Sequence, residues 1–275
     1  MGKRLKIHLV IIDPQNDFCD IPRAMLPVPG ADADMKQTAQ LVRRIGRKLD
    51  DIHVTLDSHR LIDVGHAAMW MDQNGEVPKP FTIISEADIR AGIWTTRDPG
   101  HRARMVAYAN ALEARPGHYK ICIWPTHCLI GTWGHNVHPD LNEALQEWSG
   151  REFAMVDYVT KGSNPWTEHY GALMAEVPDP TDASTALNTD FLNMLAGADI
   201  VAVAGEASSH CVLKTVEQIA DNIGDEHIKK FHLLKDCMSP VGALPGIDFP
   251  QIAQEFLVNM QRRGMTVATS TDFLN

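Results

Sequence analysis

Six short apolar runs punctuate the chain, at about residues 5–12, 52–56, 153–159, 200–204, 230–234 and 265–268. Between them lie stretches whose apolar residues recur at helical spacing, at 32–50, 103–114, 140–148, 212–220 and 249–263. Runs this short, bounded by Gly, Pro and Asp, read as buried strands. Strands separated by helices cannot close tight hairpins, so they are joined by crossovers into a mostly parallel sheet with helices on both faces. The pattern predicts an α/β fold, a single Rossmann-like three-layer domain over residues 1–275. One stretch, about 67–119, breaks the rhythm with turn-rich sequence at 70–76 and 78–81 and a lone helix, and is expected to be an insertion packed over one end of the domain.

Open parallel sheets bind ligands at the carboxyl ends of their strands. Asp13 follows the first run, Asp57 the second, Lys161 the third and Cys211 the fourth, which gathers four reactive side chains on one rim. Cys211 stands where a strand and a small-residue turn, Gly205-Glu206-Ala207-Ser208-Ser209-His210, give way to an amphipathic helix. A helix N-terminus favours thiolate, and its free N–H groups can receive an oxyanion. Taken alone, Cys211 reads more readily as an inert buried cysteine than as a nucleophile. Asp13 suits a base for the thiol or a loop cap, and Lys161 a charge partner or an ordinary surface lysine. Their shared placement favours the chemical reading.

A second cluster is Asp57-Ser58-His59, then His66, then His127. One carboxylate with imidazoles suits Zn²⁺, Fe²⁺ or Mn²⁺ with a position left open, although among 13 histidines some neighbour one another by accident. His101, His118, His135, His138 and His169 lack such spacing and read as structural or surface residues.

Charge and cysteine usage narrow the partners. With 35 acidic against 25 basic residues, the formal net charge of -10 argues against nucleic acid and anionic membranes. Five irregularly spaced cysteines do not form a disulfide framework, and a reducing cytoplasm is expected. The apolar run at 5–12 carries His8 and ends in Asp13-Pro14, so it reads as a strand rather than a signal peptide. No run reaches the ~20 apolar residues of a membrane span.

At this point the sequence resembles a family. Asp13-Pro14-Gln15-Asn16-Asp17-Phe18 resembles the D-x-Q-N-D-F opening of the nicotinamidase/isochorismatase-like cysteine hydrolases. Leu56-Asp57-Ser58-His59 resembles their first metal motif, and Trp124-Pro125-Thr126-His127-Cys128 with Gly131-Thr132-Trp133-Gly134 resembles a segment of nicotinamidases in particular. Lys161-Gly162 and Ser209-His210-Cys211-Val212 match the family lysine and nucleophile turn.

The resemblance implies a catalytic triad of Asp13, Lys161 and Cys211. It implies a divalent metal, zinc before iron or manganese, held by Asp57, His59 and His127, with His66 a further ligand in some members. It implies a cis peptide between Glu206 and Ala207, an oxyanion hole from the N–H groups of Ala207 and Cys211, and a substrate pocket walled by Phe18 and Trp124. The implied activity is hydrolysis of a small-molecule amide, nicotinamide to nicotinate and ammonia, by a homo-oligomer. Another amide or a ureido compound, or a non-catalytic binding role, are the alternatives. Two departures stand out: the long stretch between His59 and His127, and the segment after Lys161, where Trp166 or Tyr170 could form a pocket wall.

Overall fold

The computed structural model describes residues 4–115, 120–243 and 248–275. The chain begins with β1 (Ile7–Ile12), α1 (Ala31–Ile45) and β2 (Asp51–Asp57). Short elements follow: β3 (Trp70–Met71), β4 (Ile83–Ile84), α2 (Glu86–Ala91), β5 (Thr95–Thr96), α3 (Arg102–Glu113) and β6 (Ile121–Cys122). The regular alternation then resumes with α4 (Pro139–Glu152), β7 (Asp157–Lys161), α5 (Thr189–Ala196), β8 (Ile200–Gly205) and α6 (Cys211–Asn222). It ends with α7 (Asp225–Ile228), β9 (Phe231–Leu234), α8 (Phe249–Arg263) and β10 (Thr266–Ala268).

Six strands form one parallel sheet in the order β10-β9-β8-β1-β2-β7. The crossovers run outward in both directions from the β1–β8 pair, so a crevice opens between the carboxyl ends of these two strands. Alternation of side chains supplies the two outer layers. Ile7, Leu9 and Ile11 face a core built with α1 and α4, while Val10 and Ile12 face α5, α6 and α8. On α4, Leu141, Ala144, Leu145 and Trp148 fall on one stripe and are buried, and Pro139 starts the helix where a missing N–H costs nothing. The α/β architecture with helices on both faces is the one expected from the sequence.

Residues of the 64–123 stretch bury an apolar cluster of their own, with Trp70, Ile84, Ile89, Met105, Leu112 and Ile123 inside it. The loops expected at 70–76 and 78–81 contain the pair β3, which joins β5 in a two-stranded ladder. His118 and the end of the expected 67–119 stretch lie outside the described residues.

The third strand corrects the sequence reading. Residues 153–156 are not strand: α4 runs on to Glu152, and Phe153 caps it with φ of +52° and its side chain in solvent. The strand starts at Asp157, and Lys161 is its last residue rather than its follower. Hydrophobic content misled here, because Phe153 and Met155 of the apolar run are exposed while Ala154, Val156 and Val159 pack against the core. Helix α5 gave too little periodic sequence to be foreseen; Asn188 caps it by accepting the Phe191 N–H at 3.0 Å.

Candidate functional site

The strand ends bring Asp13, Asp57, Lys161 and Cys211 together. Parallel pairing sets Asp57 directly beside Lys161, and Ile12 beside Gly205. A Cβ at Gly205 would stand 2.1 Å from the Ile12 carbonyl oxygen, so only glycine lets β8 leave the sheet this close to β1. The Lys161 ammonium lies 2.9 Å from Asp13 Oδ2 and 2.9 Å from Asp57 Oδ1. It also donates to the His169 carbonyl at 3.0 Å and approaches Cys211 Sγ at 3.6 Å. Thr55, one β2 pleat before Asp57, donates to Asp13 Oδ1 at 2.6 Å and receives the Asp13 N–H at 3.0 Å.

Burial dominates the electrostatics. It pushes the Cys211 thiol well above the usual thiol range, only partly offset by Lys161. It also raises the Asp13 carboxyl, against the pull of Lys161. For Lys161 burial acts the other way, but Asp13 and Asp57 outweigh it and hold the ammonium well above its ordinary value. Burial and Asp13 thus favour the thiol form of the sulfur, which is held beside a fixed cation.

The turn from 205 to 211 supplies donors. The peptide between Glu206 and Ala207 is cis. The N–H groups of His210 and Val212 both reach the Ala207 carbonyl, at 2.9 and 3.1 Å. Those of Ala207 and Cys211 find no acceptor among the described residues, and both residues line the same pocket.

Beside this group, the ligand atoms of His59, His66 and His127 lie within 4.8 Å of one another, all buried. Each imidazole has Nδ1 tied to an oxygen: His59 to Asp63 at 3.1 Å, His66 to the Arg60 carbonyl at 3.1 Å, His127 to the Pro125 carbonyl at 2.8 Å. Such ties fix the tautomer and leave Nε2 for a metal. Asp57 Oδ2 completes the set, 3.0 Å from His59 Nε2 and 3.5 Å from His127 Nε2. Burial would lower the His59 pKa, but Asp57 and Asp63 raise it well above the ordinary value, the mark of a negative potential that attracts cations. Burial and its two imidazole neighbours push His66 down to about 4, so it is a neutral ring with a free lone pair. Three imidazoles and a carboxylate, each braced from behind, fit a divalent metal.

One pocket joins the clusters. Phe18 and Trp124 line it as expected, with Asp57, His59, His127, Ala207 and Cys211. Tyr170 also lines it, taking the Trp124 indole N–H at 3.3 Å, whereas Trp166 packs away from it between His101 and Arg104. His169, read from the sequence as structural or surface, is a pocket wall whose carbonyl holds Lys161.

Sequence reasoning missed three residues here. Glu168 is buried in the pocket wall, its Oε1 has no partner, and burial pushes its carboxyl up to about 8. His210 lines the pocket as a neutral ring, lowered to about 4 by burial. Gln15 does structural work that its place in the motif did not explain. Its Oε1 accepts the Asp57 N–H at 2.7 Å, and its Nε2 donates to the Asp57 carbonyl at 2.8 Å and to that of His135 at 3.0 Å. Register between β1 and β2 stops at Ile11 and Val54, and the carboxamide of Gln15 continues the ladder where the β1 backbone has turned away.

No protein-family model matches the chain, and no curated protein matches it in sequence. Solved structures do match it in fold. A nicotinamidase/pyrazinamidase of Acinetobacter baumanii is 24% identical with a TM-score of 0.61, covering 99% of this chain and 100% of its own. Yeast nicotinamidase bound to the inhibitor nicotinaldehyde is 18% identical with a TM-score of 0.63, covering 96% and 99%. A pyrazinamidase of Pyrococcus horikoshii in complex with zinc is 20% identical with a TM-score of 0.55, covering 96% and 99%. The fold is that of the nicotinamidase and isochorismatase-like proteins.

Proposed function

We propose that this chain is a cysteine amidohydrolase of nicotinamidase type, cleaving a small carboxamide to the acid and ammonia through a thioester. The observation that carries the reading is Lys161, whose one ammonium touches Asp13, Asp57 and Cys211 behind a pocket lined by Cys211, Asp57, His59 and His127. Nicotinamide is the substrate we favour. Support comes from the aromatic walls Phe18, Trp124 and Tyr170, which suit a flat ring, and from the nicotinamidases among the similar structures.

In this reading Asp13 takes the Cys211 proton as sulfur attacks the carboxamide carbon. Burial raises the Asp13 carboxyl above the ordinary carboxylate range, which makes it a stronger base for the thiol proton than an exposed carboxylate. Lys161 compensates the charge that develops on sulfur. The N–H groups of Ala207 and Cys211 receive the oxyanion. As the tetrahedral adduct collapses, Asp13 returns the proton to the departing nitrogen and ammonia leaves. A water, deprotonated by Asp13, then attacks the thioester; collapse releases the acid, and the proton goes back to sulfur.

Asp57, His59, His127 and His66 would hold a divalent metal, zinc in our reading. Bound there, it supplies a Lewis acid that orients the substrate and draws electron density from it. We read residues 67–119 as an insertion in the domain, and the chain as a homo-oligomer of the cytoplasm.

The test is ammonia release from nicotinamide by metal-replete protein, with Cys211→Ala as the control. Turnover that survives in Cys211→Ala refutes the mechanism. Absence of turnover on nicotinamide, with turnover on another small amide in a panel, refutes the substrate but not the chemistry.

A further inference from the structure

Two buried carboxylate oxygens behind the Cys211 turn have no donor. Glu206 is fully buried, and its Oε2 accepts the Ser239 N–H at 3.1 Å. Its Oε1 has no partner, and neither has Oδ2 of Asp34 on α1. These two carboxyl groups lie within interaction range of each other, and the Ser239 side chain lies beside Asp34. Two ionised carboxylates are acceptors only and cannot bond one another, whereas one proton between them satisfies both orphaned oxygens.

The surroundings retain that proton. The charged groups acting on the pair are themselves acidic: Asp20 from the loop after Phe18 and Asp236 from the loop after β9. The Cys19 thiol, packed on the same side, is raised by burial and by Glu206 in turn, so it brings no positive charge. Burial pushes the Asp34 carboxyl up and the Glu206 carboxyl well above the usual carboxylate range.

We propose that Asp34 and Glu206 hold one proton between them and that this carboxyl pair positions the 205–211 turn against α1. The backbone of the turn is already tied on its other side. Glu206 donates its N–H to the Ile12 carbonyl at 2.7 Å, and Ser208 donates to the Ser239 carbonyl at 2.9 Å. The side chain of Glu206 adds the third anchor, one residue before the Ala207 N–H and beside the β1 end that leads to Asp13. Loss of the proton sets the buried Glu206 carboxylate and the half-buried Asp34 carboxylate against each other and releases that anchor. Glu206 and Asp34 are positioning residues; neither touches the reacting atoms. Only the kinetic consequence rests on the proposed amidohydrolase activity.

The experiment compares Glu206→Gln, Asp34→Asn, the double variant and Glu206→Ala with the parent protein. The first readout is denaturant stability against pH and needs no substrate. The folded pair keeps a proton that the unfolded chain releases above the ordinary carboxylate range. Parent stability therefore falls as pH rises, with a contribution approaching tenfold in the unfolding constant per pH unit. Glu206→Gln and Asp34→Asn each replace the shared proton with an amide N–H and each remove that contribution, and the double variant removes no more. The second readout is kcat. Glu206→Gln keeps the bridge and exceeds Glu206→Ala by about tenfold or more in kcat, with KM differing little.

Persistence of the parent pH slope in Glu206→Gln, or additive slopes in the two single variants, overturns the shared proton. Equal kcat in Glu206→Gln and folded Glu206→Ala overturns the positioning role. Absence of turnover by every form, on every amide, refutes the amidohydrolase reading and leaves the stability result to judge the pair.

Discussion

Acid should destabilise this protein through one buried histidine far from the pocket. His8 of β1 and His53 of β2 stand at the opposite end of their strands from Asp13 and Asp57. Their ring nitrogens approach to 2.9 Å, His8 Nε2 lies 3.0 Å from Asp51, and His53 Nδ1 lies 2.8 Å from Asp157. The 2.9 Å gap between the rings has room for one hydrogen. Burial, reinforced by His53 and partly offset by Asp51, pushes His8 from 6.5 down to about 4. The group is depressed, so the unfolded chain binds the extra proton first. Stability is whole above about pH 6.5 and is lost as pH falls toward 4. A shift of that size, at about 1.4 kcal/mol per pH unit, is worth about 3 kcal/mol. His8 is 1% exposed, so solvent screening removes little of it. The assay is urea unfolding followed by tryptophan fluorescence from pH 7 to pH 4, for the parent and for His8→Gln, which keeps a hydrogen-bonding side chain without the titration. Carboxylate contributions are common to both and cancel in the difference. The parent should lose about 3 kcal/mol relative to the variant across this range. A difference that stays constant within about 0.5 kcal/mol refutes the argument.

Two other substitutions probe the site. Lys161→Met removes the cation shared by Asp13 and Asp57 and leaves buried carboxylates uncompensated; it should cost about 3–5 kcal/mol in denaturant unfolding and abolish turnover. Gln15→Ala removes the clamp on the Asp57 peptide, and Zn²⁺ affinity measured by competition with a chelator should fall about 10–100-fold while the fold persists.

The parts of the site that strands carry were legible in the sequence, and those that loops carry were legible only in part. Asp13, Asp57, Lys161 and Cys211 each end or follow a strand, and strand order in an open parallel sheet leaves few ways to arrange such ends. Residues 52–57 held a further signal. Ile52, Val54 and Leu56 alternate with His53, Thr55 and Asp57, a pattern usually seen where one face meets water. Here the polar face is buried too and carries the hydrogen bonds to His8, Asp13 and Lys161. His169 and Glu168 were hidden because they sit in irregular chain after β7, where no period tells inside from outside. Phe153 failed for the opposite reason, as composition imitated a strand that the C-cap of α4 had already displaced.

The division between strand and loop also orders how the site should come apart. Asp57 is a β2 residue paired on one edge with Lys161 and clamped on the other by Gln15. His59, His66 and His127 lie outside the sheet, joined by single bridges between His59 and Leu129 and between His66 and Trp124. Isolated bridges open at lower free energy than a central ladder. A metal bound by both kinds of residue stabilises the loops it ties, by an amount set by its concentration. On warming with a chelating dye present, metal release should therefore precede loss of the sheet, with Cys211 still held beside Lys161 after the imidazoles have parted. Dye response and far-ultraviolet dichroism recorded in one ramp decide the point. Coincident transitions at every dye concentration would mean that loops and sheet form one cooperative unit, and that the bridges carry more than their number suggests.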